Sequence, residues 1–169
     1  MSFKKIAVEE LTCNPFTMIG KEWMLVTAGN EKNGYNTMTA SWGGLGINWN
    51  KPVATIYIRP QRYTKKFLDE EETFSLCVFD EDYKKQLGYL GRVSGKDEDK
   101  IQKAGITPQF IEDTTYFAEA KLVLICKKLY RAPILPEGFL DKDIDEKNYP
   151  QKDYHDLYIA EIIDVLKRD

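Results

Sequence analysis

The chain has little of what usually binds metals. It has one histidine, His155, and three cysteines, Cys13, Cys77 and Cys126, far apart and with no CxxC pair. The common zinc and iron–sulfur patterns are therefore excluded, and three reduced, mostly buried thiols are expected. A basic excess is also missing. Lys and Arg number 24 against 27 Asp and Glu, for a net charge of −3. Such a balance offers nothing to nucleic acid or to an anionic membrane. No apolar run approaches the ~20 residues that span a bilayer. The N-terminal "MSFKKIAVEEL" lacks the apolar core of a signal peptide, so a cytoplasmic location is expected. The catalytic signatures GxxxxGK[ST], GxGxxG after a strand, GxSxG and HExxH are all absent. A Ser–His–Asp hydrolase would rest on His155 alone. Any chemistry is therefore expected to be carried by a cofactor.

What is there suits one domain, residues 1–169, with 43% apolar and 30% charged residues. Strands are expected at Trp23–Gly29, Tyr35–Trp42, Val53–Arg59, Phe74–Phe79 and Asp156–Leu166, with one bent strand over Tyr116–Tyr130. Asn30–Gly34 carries hairpin chemistry, with Asn33-Gly34 suited to positive φ. Short helices are expected after Thr64 and Asp80, each as N-cap, the second stopped by Gly91. A third covers Lys96–Gly105. The charged stretch Leu140–Asp156 shows no periodicity and reads as a long loop that either covers the site or is a solvated excursion. This order predicts a mainly β protein with short helices: an antiparallel barrel rather than a doubly wound sheet.

Three segments carry unusual chemistry. "NTMTASWGG" crowds hydroxyls, a Trp and two glycines onto a strand end. "RPQRYTKKF" places Arg59, Arg62, Lys65 and Lys66 around the start of a helix, where free N–H groups favour anions. A phosphate pocket and a solvated basic turn both fit it. "SGKDEDK" is a second turn with a hydroxyl and lysines.

Five segments together resemble the flavin reductase-like family of FMN-binding split barrels, in its flavoredoxin-type branch. They are "NTMTASWGGLG", "PVATIYIRPQRYT", "FSLCVF", "LGYLGRVSGKDEDK" and "HDLYIAEI". The resemblance implies an antiparallel split β-barrel that binds FMN. It places Asn36, Thr37, Met38, Thr39, Ala40, Ser41 and Trp42 along the flavin ring and ribityl chain. Arg59, Tyr63, Thr64, Ser94, Lys96 and Lys100 fall on the phosphate side, with Lys65 and Lys66 solvated. It implies a homodimer whose partner completes the pocket. His155 stands where the family's reductases often have the His of a Gly-Asp-His, near the nicotinamide. Asp153 and Tyr154 here replace the Gly-Asp. Cys77 stands where the family often has Asn and is expected to be a buried strand residue.

The implied function is transfer of hydride or electrons through the flavin. The donor is NAD(P)H or a reduced protein; the acceptor is flavin, ferric iron or a partner protein. A non-catalytic FMN electron carrier is the alternative, and a flavin-free binding module a third reading.

Overall fold

The computed structural model describes residues 2–169. Among these, ten strands form: β1 (Phe3–Ile6), β2 (Met24–Asn30), β3 (Gly34–Ala40), β4 (Gly43–Asn48), β5 (Lys51–Ile58), β6 (Thr73–Val78), β7 (Pro108–Ile111), β8 (Thr114–Phe117), β9 (Leu122–Pro133) and β10 (Asp156–Arg168). Five short helices punctuate them: α1 (Pro15–Thr17), α2 (Thr64–Glu70), α3 (Lys84–Arg92), α4 (Lys100–Ala104) and α5 (Lys142–Asn148). The main sheet runs β3-β2-β6-β9-β10-β5-β4, and β1 adds to the far half of β10. Every pairing is antiparallel. The mainly β split barrel expected from the sequence is the fold observed.

Alternation decides what each strand buries. On β6, Phe74, Leu76 and Val78 point into the barrel with Val26, Leu124, Ile56 and Tyr158. Cys77 points outward, beneath Leu87 and Leu90 of α3 and beside Val123 and Ile125. The sheet thus has an inner core and a second, helix-covered core. Burial pushes the Cys77 thiol up to about 11 and raises Cys126 as well, so both are inert packing residues; Cys13 is exposed.

Several expectations are corrected. Tyr116–Tyr130 is not one strand. It breaks between β8 and β9, where Lys121 N–H donates to Val78 O and Ala118 N–H to Thr107 O. Positive φ in the β2–β3 hairpin falls on Gly29 (98°) and Gly34 (84°), and Asn33 does not share it; the Asn30 side chain accepts from Asn33 N–H and organises the turn itself. Thr64 does not cap α2; Tyr63 holds the cap position and the Thr64 hydroxyl is used elsewhere. Asp80 makes no cap bond and pairs with Arg168 instead. Gly91 does not end α3, which runs on to Arg92. The 141–155 stretch is not a plain loop. Asp141 accepts from Asp143 N–H and starts α5.

Lys65 is the largest departure. It is expected in solvent, yet it is buried. Its ammonium lies 2.7 Å from Asp69 and 2.9 Å from Asp156, and donates to the Tyr158 hydroxyl at 3.1 Å. Arg131 binds the same two carboxylates from β9. Burial works against the Lys65 charge, but the three partners outweigh it and raise its pKa. This cluster bolts α2 to the start of β10. Lys65 and Asp156 are its buried pair, and removing one partner of a buried pair strands the other, at ~3–5 kcal/mol. Lys65→Met is expected to lower the unfolding free energy by ~3–5 kcal/mol, read in urea as a lower midpoint with an unchanged slope; a loss under ~1 kcal/mol would show the cluster to be solvated.

Candidate functional site

The barrel does not close on itself. Strands β3 and β4 end the sheet and are joined only by Ser41 and Trp42. Gly43 makes this crossing possible: its φ is 156°, and a Cβ there would sit 2.7 Å from Thr55 O. Among the described residues, strand β3 pairs only with β2. The backbone N–H and C=O groups along its other side are therefore left for solvent or a ligand.

At the Trp42 end of this seam lies a pocket of about 170 Å³ lined by Met38, Thr39, Ala40, Ser41, Trp42, Tyr57, Arg59 and His155. The fold thus brings together seven residues named from sequence and adds Tyr57. Tyr57 lies on the solvent-side alternation of β5, so only the pairing of β5 with β4 and β10 reveals it. His155 is buried against the Trp42 ring, with centroids 5.0 Å apart. Its Nδ1 is 2.7 Å from the Tyr149 hydroxyl. Desolvation, with the Arg59 charge nearby, pushes its pKa down to about 4.

At the Asn36 end the three unusual segments meet. Asn36 Nδ2 donates to Thr64 Oγ1 at 2.9 Å. Gly95 of the Ser94–Lys96 turn packs so closely that a Cβ there would lie 2.2 Å from Asn36 Oδ1 and 3.2 Å from the Tyr63 ring. Only glycine lets this turn approach. Ser94 Oγ accepts from Lys96 N–H. Lys96 is exposed, its ammonium 5.4 Å from the Tyr63 ring centre.

Other named residues are placed differently. Thr37 is fully buried and its hydroxyl is 2.8 Å from that of Thr27. The Thr39 hydroxyl donates to Leu87 O. Neither hydroxyl is free for a ligand, because both lie on the face of β3 turned away from the barrel interior. Lys100 is buried and donates to Leu90 O and Val93 O, while Arg62 donates to Gly91 O. Two cations thus cap the carbonyl end of α3, where the helix dipole favours them. Desolvation and the Arg62 charge bring Lys100 down to about 8. Arg59 lies 2.6 Å from the Asp153 carboxylate, donates to Asn148 O and sits 5.0 Å from the Tyr149 ring centre. It holds the end of α5 against β5.

Beyond Trp42, a larger cavity of about 550 Å³ opens between α1, β4, Tyr57 and the α5 segment. It shares Ser41, Trp42 and Tyr57 with the smaller pocket. The α5 segment is therefore a wall of this site. Among the described residues no His/Cys/Asp/Glu group is suited to a metal ion, and no helix is long and apolar enough to cross a membrane.

The folded-state pKa of His155 lies below its unfolded value of 6.5. Above 6.5 both states are neutral and the group contributes nothing. As pH falls toward 4 the unfolded chain takes up a proton that the folded one does not, and stability falls. With a single histidine, the imidazole C2–H resonance reads this directly. No shift between pH 8 and 5.5 is expected; a midpoint near 6.5 would place His155 in solvent.

The model of the flavin reductase like domain matches residues 18–169. No curated protein matches. Among solved structures, the flavoredoxin of Desulfovibrio vulgaris (Miyazaki F) superposes with a TM-score of 0.69 at 22% identity, over 98% of this chain and 77% of that one. The FMN-binding domain of a flavin reductases-like enzyme from Shewanella baltica OS155 gives 0.69 at 15%, with the same coverage. The NADH:FAD oxidoreductase of Streptomyces globisporus C-1027 gives 0.63 at 16%, over 87% of this chain and 74% of that one. These likenesses establish the shared fold, and the match over residues 18–169 shows that the chain belongs to the flavin reductase like domain family.

Proposed function

We propose that the chain binds FMN along β3 and is an oxidoreductase, passing hydride or electrons from NAD(P)H or a reduced protein to flavin, ferric iron or a partner protein. One observation carries this reading. An unpaired strand edge runs from a pocket walled by Trp42, Tyr57 and His155 to Asn36, where the start of α2 at Thr64 meets the turn bearing Ser94 and Lys96. That layout suits a molecule with a planar, hydrogen-bonding head and an anionic tail. The β3 edge supplies donors and acceptors to the ring, in place of the Thr37 and Thr39 hydroxyls. Gly95 lets the Ser94–Lys96 turn close onto Asn36 and Tyr63, which fixes Lys96 at that end of the edge.

When bound, FMN supplies hydride and electron transfer at N5. The residues of this chain do the rest. Trp42 and Tyr57 wall the ring pocket and exclude water. His155 is neutral at pH 7 and its Nδ1 is taken by Tyr149, which leaves Nε2 to hydrogen-bond a ligand. Arg59 is held by Asp153 and steadies the wall, so the tail charge falls to Lys96. A second reading, a non-catalytic electron carrier, is favoured by Asp153 and Tyr154. Both are bound internally, to Arg59 and to Asp145, and pack the α5 segment where a nicotinamide would approach. Anaerobic reduction of the bound flavin by NAD(P)H alone separates the two.

Lys96→Ala is expected to weaken FMN binding by about tenfold to a hundredfold, the ~1.5–3 kcal/mol of a charge-assisted hydrogen bond. Riboflavin, which lacks the phosphate, should bind the variant and the parent equally. Equal losses for both ligands would remove Lys96 from the phosphate site. We further propose a homodimer. Ile47, Trp49 and Tyr130 are exposed, the two rings 6.3 Å apart, and aromatic surface of this kind favours association. Sedimentation equilibrium of the FMN-loaded protein at micromolar concentration should give the dimer mass. A monomer with flavin retained would show that one chain builds the whole pocket.

A further inference from the structure

We infer that Lys100 and Arg62 are positioning residues: from two sides they grip the last carbonyls of α3 and so set the turn that carries Lys96 against Tyr63 and Thr64. Lys100 is buried, with 2% of its surface exposed, and stands at the start of α4. Its ammonium donates to Leu90 O at 2.9 Å and to Val93 O at 2.8 Å. Arg62, in the connection from β5 to α2, donates to Gly91 O at 2.9 Å. These are carbonyls that the helix leaves without partners of its own. Desolvation and the Arg62 charge bring Lys100 down to about 8, so most of it still carries its charge at pH 7, and charge-assisted bonds of this kind are the strong ones.

The turn depends on this grip. Val93 directly precedes Ser94, and Tyr63 and Thr64 directly follow Arg62. Inside the turn, Asp97 N–H donates to Ser94 O and Lys96 N–H to Ser94 Oγ. Both bonds shape the turn without attaching it to anything. Among the described residues, no hydrogen bond joins residues 94–97 to Asn36, Tyr63 or Thr64; Gly95 and Lys96 meet them by contact alone, the Lys96 ammonium 5.4 Å from the Tyr63 ring centre. Contact with a glycine and a ring leaves the turn free to slide. Where Lys96 stands is therefore decided at residues 90–93, from the α4 side by Lys100 and from the α2 side by Arg62. Lys100 is itself shut off from solvent and bound to α3, so its effect on a ligand runs through the turn. The clamp stands on these bonds alone; that the turn serves a phosphate rests on the function proposed above.

Titration of the full chain, freed of flavin, with FMN and with riboflavin tests the assignment. Lys100→Met and Arg62→Met are each expected to weaken FMN at least fivefold and to leave riboflavin, which has no phosphate, unchanged. The riboflavin affinity and the His155 resonance, at the other end of the seam, report that each variant is folded. In a Lys96→Ala background, Lys100→Met is expected to cost FMN no further fivefold, because the group it positions is gone. An FMN loss below fivefold in both variants, a riboflavin loss as large as that of FMN, or a second fivefold loss on top of Lys96→Ala would each overturn the inference. A parent chain that takes up no FMN would instead strike the proposed function. The clamp is then decided by hydrogen exchange at the Asp97 amide, expected to quicken at least fivefold in both variants; an unchanged rate would end the inference.

Discussion

The structure depends on a sheet that stops short of closing. Strands β3 and β4 are its two ends, yet they are neighbours in the chain. A two-residue link could have made them a hairpin. Instead Gly43 turns the chain onto β5, and each end strand keeps one unpaired side. Unpaired backbone groups in a partly buried seam are costly unless something satisfies them. A ligand with donors and acceptors along one edge is the natural partner, and the side chains that would wall it in, Trp42, Tyr57 and His155, already stand at the seam's end.

The charges nearby follow a second rule: a buried cation is committed to whatever pairs it first. Six cations lie within the two segments 59–66 and 94–100, and proximity alone would assign them all to a phosphate. Lys65 is taken by Asp69, Asp156 and Tyr158. Arg62 and Lys100 are taken by the carbonyl end of α3. Arg59 is taken by Asp153 and Asn148. Lys66 and Lys96 stay exposed, Lys66 near the Phe67 ring and Lys96 near that of Tyr63. Of these two, only Lys96 belongs to the turn that meets Asn36 and Tyr63. Interior charges here build the scaffold; the charge left at the surface is the one free to recognise a ligand.

This division also marks what could be read from the sequence. Strand alternation in Val53–Arg59 and Phe74–Phe79 is local, and the strands appear there as expected. The three unusual segments do converge, because their glycines and hydroxyls serve close approach. What was not legible depended on distant partners. Lys65 looks solvated until Asp156, far along the chain, is placed beside it. The threonines of β3 look like ligand contacts until pairing with β2 turns Thr37 toward Thr27 and packing of α3 turns Thr39 toward Leu87. The α5 helix escaped notice because its seven residues carry charge without an apolar stripe.

The same helix closes the argument on the site. An isolated helix of this length is marginal in water, and α5 buries none of its residues. It holds its place through its C-terminal end, where Arg59 binds the Asn148 carbonyl and packs on Tyr149, and Tyr149 in turn bonds His155. The wall of the larger cavity and the imidazole at the seam are therefore one mechanical unit, tied through Arg59 to β5. A disturbance of the wall would be felt at His155, and a ligand that pulled Arg59 from Asp153 would loosen both.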